Sequence, residues 1–435
     1  MKFRWETELK ETEIGEIPRD WEVKKLGELI EEALIGSTPL KRVSRFWISG
    51  NVPWLTSKEI EYGQINFIED TQEKVNKIAL DETNLKLIPP NSLIISFTAS
   101  VGKVAINKVP ITTNQQFISF VLNNTSNVLF YGYYFLIAKD ILESFSGATP
   151  FSFITKENAL NIPVPYTPLP EQSRIAQDLS YFDDLIENKK KQNEILEKTA
   201  ITIFKSWFID FEPFKDQEFV YNEELGKEIP KGLEVKRLGE VVELIKGVSY
   251  NTPDISSNSE GQVFITLNNF LRGGGFKSEY SYYIGTRAKE NHIVKNGDLI
   301  IAITDMTSLA QVVGAPAIVI LPYGYEKGVI SLDCAKIKLN NDYSKFYIYL
   351  YLKYTQEENS TFAGGVNVLH LKLNLFKANK FILIPPPSIL QHFHSLVEPL
   401  FQKIILNQKQ IMTLKKVRDT LLPLLVFGKL RVEEV

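Results

Sequence analysis

Cysteine is almost missing from this chain: Cys334 stands alone, so no internal disulfide is possible. Its setting, VISLDCAKIKL, reads as a strand in which the thiol serves as a small buried apolar group. Histidine is scarce too, and His392 and His394 lie two apart on an expected helix, so they point to different faces and no zinc site is expected. No apolar run reaches the roughly 18 residues a membrane helix needs. The first residues, MKFRWETELKETEIGEIPRDW, are mixed and polar, unlike a basic-then-apolar leader. A soluble, cytoplasmic protein is expected. A basic excess is also lacking, since the net charge is -3, whereas a stand-alone nucleic-acid binder usually shows one. Either nucleic acid is not the partner, or other subunits supply much of the phosphate contact.

Catalytic motifs are absent as well. There is no GxxxxGK[ST] loop for a nucleoside triphosphate. The string nearest to the proline-proline loop of an amino-methyltransferase is Asn161-Ile162-Pro163, which lacks the paired prolines, and FAGG from Phe362 resembles a methyl-donor loop only faintly. Asp20, Glu22 and Lys24 are expected to alternate on one strand face, which suggests the carboxylates and lysine of a metal nuclease. The second copy of that stretch has Gly232 in place of Asp20, so a solvated strand face is the better reading.

What the chain has is itself, twice. EIPRDWEVKKLGELIEEALIGSTP from Glu16 is echoed as EIPKGLEVKRLGEVVELIKGVSYN from Glu228, NSLIISFTASVG from Asn91 as GDLIIAITDMTS from Gly297, and FSGATP from Phe145 as FAGGVN from Phe362. Each copy closes in a proline cluster, IPVPYTPLPEQ or ILIPPPSILQ, and runs into a long segment with few breakers. Those segments, about 170 to 211 and 388 to 422, carry a seven-residue apolar repeat. In the first the core series are Ile175, Phe182, Lys189, Leu196, Ile203 and Leu179, Ile186, Asn193, Ala200, Trp207. In the second they are Phe393, Leu400, Asn407, Leu414, Leu421 and Val397, Ile404, Ile411, Arg418, Leu425. Two such helices bury both stripes as an antiparallel coiled coil, with Lys189, Asn193 and Asn407 fixing register. Pro399 should bend or restart the second helix, and Pro423 should mark its end. The fold class expected is α+β, with two tandem similar α/β bodies, each followed by a long helix. The boundaries expected are 1–165, a helical region at 166–212, a second body at 213–384, and a helical region at 385–435.

The remaining chemistry suits a grip on nucleic acid, with basic, hydroxyl and amide side chains clustered in loops among aromatics. The richest stretch holds Ser37, Thr38, Lys41, Arg42, Arg45, Trp47, Trp54, Thr56, Ser57 and Lys58. Lys41, Arg42 and Arg45 suit phosphates, while Thr56, Ser57 and Lys58 suit base edges. Ser96, Thr98, Ser100 and Lys103 follow an apolar strand, and Asn114, Gln115 and Gln116 offer amides suited to adenine. In the second half the same slots hold Asn251, then Asn268, Asn269, Arg272 and Lys277, then Thr304, Asp305, Thr307 and Ser308. Asp305 is placed to accept from a cytosine amino group. Similar frames with unlike loops are what reading two different half-sites requires.

These features together resemble the specificity subunits of type I restriction-modification systems, over nearly the whole chain. The strings that carry the resemblance are IGEIPRDWEVKKLGE, GSTP, PWLTSKEI, VGKVAINK, TNQQF, IPVPYTPLPEQ and FKSWFIDFEPF, then EIPKGLEVKRLGE, NGDLIIAITD, ILIPPPSILQ and LLPLLVFGKLRV. The second recognition domain departs more, showing no equivalent of PWLTSKEI. The resemblance implies a non-catalytic subunit that reads a two-part DNA target and assembles modification and restriction subunits. It implies that S-adenosylmethionine, ATP and Mg²⁺ are held by those partners, with none in this chain, and that the modification subunits flip a target adenine. It also implies that roughly 36 residues of helix, about 54 Å at 1.5 Å each, set the spacing of the half-sites. Changes at Leu196 or Leu414 should then disturb spacing or assembly, and Arg45→Ala should weaken the first half-site. The readings weighed against this one are an enzyme with an unfamiliar site and a coiled-coil scaffold indifferent to DNA sequence.

Overall fold

The computed structural model describes residues 3–98, 101–145, 153–258, 260–307, 309–340 and 343–432. The chain divides into two compact units, one formed by Met1–Asp184 with Lys415–Val435 and the other by Leu185–Leu414.

In the first unit, β1 (Ile30–Ile35), β2 (Val52–Leu55), β3 (Ile65–Ile68), β4 (Leu93–Ser96), β5 (Val104–Asn107), β6 (Thr112–Thr113) and β7 (Phe117–Leu122) build two sheets. The larger has the order β1-β7-β4-β5-β3, antiparallel except where β5 meets β3. Its central β4 and β5 are buried throughout, which is why NSLIIS reads as an unbroken apolar run instead of an alternating one. In the smaller sheet β2 and β6 pair in parallel, Trp54 opposite Thr112 and Leu55 opposite Thr113. Helix α1 (Val128–Ile137) opens where Asn127 Oδ1 accepts the N–H groups of Leu129 and Phe130; Gly132 brings it close to Ile65 and Ile106 of the sheet, while Tyr131 and Tyr134 donate to Pro165 O (3.3 Å) and Pro163 O (2.6 Å). The long α2 (Leu169–Phe208) follows the proline cluster.

The second unit repeats the plan. Strands β8 (Val242–Lys246), β9 (Gln262–Ile265), β10 (Leu299–Ala302), β11 (Pro316–Ile318), β12 (Gly328–Ile330) and β13 (Cys334–Leu339) form a sheet of order β8-β13-β10-β11 and a second sheet in which β9 and β12 are parallel. Helix α3 (Lys345–Tyr354) is capped by Ser344 Oγ, and α4 (Pro387–Val426) is the second long helix. Cys334 is fully buried, and burial pushes its thiol up. Ser331 and Cys334 side chains lie 3.7 Å apart.

The long helices run antiparallel. Within the second unit Lys189 Nζ donates to Gln410 Oε1 (2.6 Å) and Asn407 Nδ2 to Asn193 Oδ1 (2.9 Å), while Ala200 and Phe204 share a core with Phe393 and Val397. Within the first, Asp183 meets Arg418, and Ile175 and Leu179 share a core with Leu422, Leu425 and Val426. At Pro399 α4 does not restart, and it runs on past Pro423, where an end was expected, to Val426. Burial of Phe393, Val397 and Phe401 on one side of Pro399, and of Leu422, Leu425 and Val426 around Pro423, outweighs the lost backbone bonds. No helix among the described residues is long and apolar enough to cross a membrane.

Candidate nucleic-acid interface

In the first unit three loops converge where the parallel strands β2 and β6 end. Ser37 N–H donates to Thr113 O (2.9 Å), and Asn114 N–H donates to Leu55 O (3.2 Å). Gly36 permits this approach, because a Cβ there would stand 2.0 Å from Asn114 O. Side chains complete the junction: Ser57 Oγ donates to Gln116 Oε1 (2.7 Å), Asn114 Nδ2 to the same oxygen (3.0 Å), and Thr38 Oγ1 to Gln115 Oε1. Thr56 starts a tight turn whose Glu59 carboxylate accepts the Thr56 N–H (3.3 Å) and hydroxyl (3.1 Å). Ser37, Thr38, Thr56, Ser57, Lys58, Asn114 and Gln115, drawn from three separate stretches of sequence, are thereby brought into one place.

The cations divide into two groups. Arg42 and Lys58 are exposed and have no hydrogen-bonding or ionic partner among the described residues. Lys41 is drawn onto the rings of Trp47 (3.5 Å) and Trp54 (4.4 Å) and pairs with Glu73, and Arg45 pairs with Glu82 (2.5 Å). Such exposed pairs are worth at most about 1 kcal/mol, so a phosphate can displace the carboxylate. Trp54 is only 3% exposed, and its Nε1–H donates to Ser37 O (3.0 Å), so it braces the junction from inside. Lys103 does likewise, its ammonium donating to Ser57 O (2.6 Å) and Ile60 O (2.7 Å). Ser96 is buried, with Oγ accepting from Lys103 N–H (2.9 Å), and Thr98 bridges to Phe153. Ser100 lies outside the described residues.

The second unit contains the same junction. Val248 N–H donates to Ile330 O (2.8 Å) and Ser331 N–H to Ile265 O (2.8 Å), and a Cβ on Gly247 would stand 2.2 Å from Ile330 O. The segment QVFITLNNF therefore takes the place of VPWLTSKEI, and ISLDC that of TNQQF. This corrects the expectation that PWLTSKEI has no equivalent here. Backbone geometry is retained while the side chains differ, so the likeness cannot be seen by matching letters. Its turn has Thr266 N–H donating to Asn269 Oδ1 (2.9 Å).

Of the residues expected here, Asn251, Asn268 and Arg272 are exposed, and Lys277 is exposed but paired with Glu279 (2.9 Å). Asn269 is 1% exposed, its amide donating to Lys277 O (3.1 Å) and Glu279 O (2.5 Å). Thr304 is buried beside His370 (3.3 Å), Thr307 is exposed, and Ser308 lies outside the described residues. Asp305 is 2% exposed; one of its oxygens accepts from Thr307 N–H and Oγ1 (both 2.8 Å), the other from Val312 N–H (2.8 Å) and Val313 N–H (3.3 Å). Burial disfavours its charge, but these bonds outweigh that and hold the carboxyl below its usual range. With four bonds accepted, no lone pair remains for a cytosine amino group. Sequence reasoning missed Tyr250, Leu332 and Asp333, which line this junction, with Tyr250 Oη donating to Asp333 Oδ2 (3.3 Å). The signal that could have found them is the short buried strand Gly328–Ile330 before a polar turn.

Of the tempting trio, Asp20 lies in the turn before the strand Glu22–Lys25, not on its face as expected, and pairs with Arg431 (3.0 Å), while Glu22 pairs with Lys24 (3.8 Å).

Comparison with known proteins bears on both units. The family profile described as the type I restriction modification DNA specificity domain matches residues 18–198 and again 230–416. The type I restriction enzyme MjaIX specificity subunit of Methanocaldococcus jannaschii is 41% identical over 439 residues, covering 100% of this chain and 99% of that protein. The EcoR124I/EcoR124II specificity subunit of Escherichia coli is 32% identical over 180 residues, 39% of this chain and 42% of that one. Among solved structures, the type I restriction-modification S subunit from M. genitalium shares the fold at a TM-score of 0.52 and 15% identity, covering 95% of this chain and 97% of that chain.

Proposed function

The chain belongs to the type I restriction-modification DNA specificity family, and from that premise we propose that each unit reads one half of a split DNA target through its three-loop junction. The chain is the specificity subunit of a type I restriction enzyme, a non-catalytic component with two target-recognition domains. The observation that carries the proposal is the repetition of one backbone frame with unlike side chains. The first junction presents Thr38, Ser57, Lys58 and Gln115, and the second Asn251, Asn268, Leu332 and Asp333. Hydroxyl, amide and ammonium groups meet base-edge acceptors and donors, and an apolar group such as Leu332 meets a thymine methyl. Arg42, Arg45 and Arg272 at the margins suit phosphates, which fix register without reading sequence.

The net charge of -3 fits a subunit whose partners supply much of the positive surface. Those partners are the modification subunits, docked on the helical regions, carrying S-adenosylmethionine and flipping the target adenine, and a restriction subunit that uses ATP and Mg²⁺ in the cytoplasm. The test is to express the chain with its cognate modification subunits in a methyl-free host and map modified bases across the genome. Methyl-adenine confined to a split motif with a fixed unspecified spacer is expected. An assembled, transferase-competent complex that leaves no patterned methylation would overturn the proposal.

A further inference from the structure

Behind each junction the loop that follows the tight turn is held by an inward cation. In the first unit Arg418, 5% exposed on α4, donates through Nη2 to Gly63 O (3.0 Å) and through Nη1 to Asp183 of α2 (2.6 Å). Tyr133 of α1 donates to the other Asp183 oxygen (2.6 Å). In the second unit Lys353 of α3 donates to Gly274 O (2.8 Å) and Glu197 of α2 (2.7 Å), and Tyr349 of α3 donates to that same Glu197 oxygen (2.6 Å). Each set comprises a carboxylate of α2, a tyrosine of the short helix, a cation, and a glycine carbonyl a few residues beyond the turn that begins at Thr56 or Thr266. Both glycines have positive φ, +72° at Gly63 and +108° at Gly274, so each loop takes a sharp path at the point where it is gripped. The second unit adds a further tie, Gln408 Nε2 donating to Ser278 Oγ (2.9 Å), between the two carbonyls that Asn269 holds.

The cations on the two sides differ in type and come from different helices, yet they arrive at the same loop. Apolar contacts could stabilise the loop equally well, because a buried ion pair recovers little beyond its desolvation cost. A donor aimed at one carbonyl does something packing cannot, which is to fix the loop at one position. We propose that Arg418 and Lys353 are positioning residues for sequence reading, each setting the place of one tight turn against its helices and thereby governing discrimination in one half-site. This rests on the junction reading above.

The experiment uses the full chain assembled with its modification subunits and labelled duplexes carrying single base changes in either half. Lys58→Ala and Asn268→Ala in the same assay define which half belongs to which junction. Arg418→Met is expected to reduce discrimination at least about tenfold in the half that Lys58→Ala relaxes, leaving the other within about twofold, and Lys353→Met to do the reverse. The salt slope should not change in either, because neither cation faces phosphate. Arg418→Lys, which keeps the pair with Asp183 but not the second arm to Gly63, should give a smaller loss in the same half and serves if Arg418→Met does not fold. Unchanged discrimination, or equal loss in both halves accompanied by a lower melting temperature, overturns the proposal. If Lys58→Ala and Asn268→Ala relax their halves and the clamp variants do not, only the clamp fails. If those two also leave discrimination intact, the junction reading fails and the clamp falls with it.

Discussion

Glu59 and Asn269 do the same work in two copies of one turn, each lending a side-chain oxygen to the N–H of the threonine three residues before it, Thr56 at 3.3 Å and Thr266 at 2.9 Å. They differ in depth. Glu59 is half-buried and also accepts from the Thr56 hydroxyl (3.1 Å) and the Gln72 N–H (2.8 Å), whereas Asn269 is enclosed and also satisfies two carbonyls.

Removing these caps should therefore have unequal effects. Glu59→Ala is expected to cost about 1 kcal/mol, as for a lost helix cap. Asn269→Ala removes the partner of the Thr266 N–H and of Glu279 O from an enclosed site, while Lys277 O keeps the Glu279 N–H (3.0 Å), and should cost about 2–4 kcal/mol. Thermal melting of the two variants checks the order, and equal shifts would show that Asn269 is not the brace described.

The unpaired Arg42 and the paired Arg45 of the first recognition loop can be told apart by substitution. Arg42→Ala should make the salt dependence of DNA binding shallower by about one unit of slope. Arg45→Ala should weaken the first half-site as well, but Glu82→Gln should tighten it, because Arg45 is then released from its 2.5 Å pair. Binding titrations of the assembled complex at several salt concentrations measure both.

Close approach at the two junction glycines predicts a local failure. Alanine at Gly36 or Gly247 places a Cβ about 2 Å from a carbonyl oxygen, so the loops must separate. Each substitution is expected to lower the melting temperature by several degrees and to relax only its own half-site. Gly226→Ala, with φ +64° and nothing near the new Cβ, should cost only the backbone strain of about 1–2 kcal/mol and leave DNA reading intact.

Much of this was legible in the sequence because it depends on apolar spacing. The duplicated frame, both long helices and their antiparallel pairing through Asn193 and Asn407 follow from repeat and heptad. Residue roles within loops were less legible. Lys103, Asn269 and Asp305 are polar residues beside strands, as base readers are, but their bonds turn inward to backbone groups that only the folded chain brings near. The second junction was hidden for the converse reason: strand pairing and two glycine approaches fix its backbone, leaving ITLNN and ISLDC free to share almost no letters with LTSKE and TNQQF.

Asp305 also predicts a pH effect. Its folded value is lowered, so its contribution to stability is complete above the unfolded value near about 3.9 and is lost as pH falls through the lower folded one. Asn at this position offers one oxygen where two are needed. Asp305→Asn should be less stable than the native protein at pH 7, and the gap should narrow on acidification below about pH 4. A gap that stays constant through that range would mean the carboxylate's charge does not hold the turn.

Reading of one half of the target by each of two equivalent junctions is what we propose. The most direct test is genome-wide methylation mapping of the assembled modification enzyme carrying Ser57→Ala, Lys58→Ala and Gln115→Ala together, beside one carrying Asn268→Ala and Leu332→Ala. Each enzyme is expected to methylate a motif degenerate in one half only, a different half for each, with the spacer unchanged. Motifs that stay intact, or that loosen in both halves at once, would contradict the proposal.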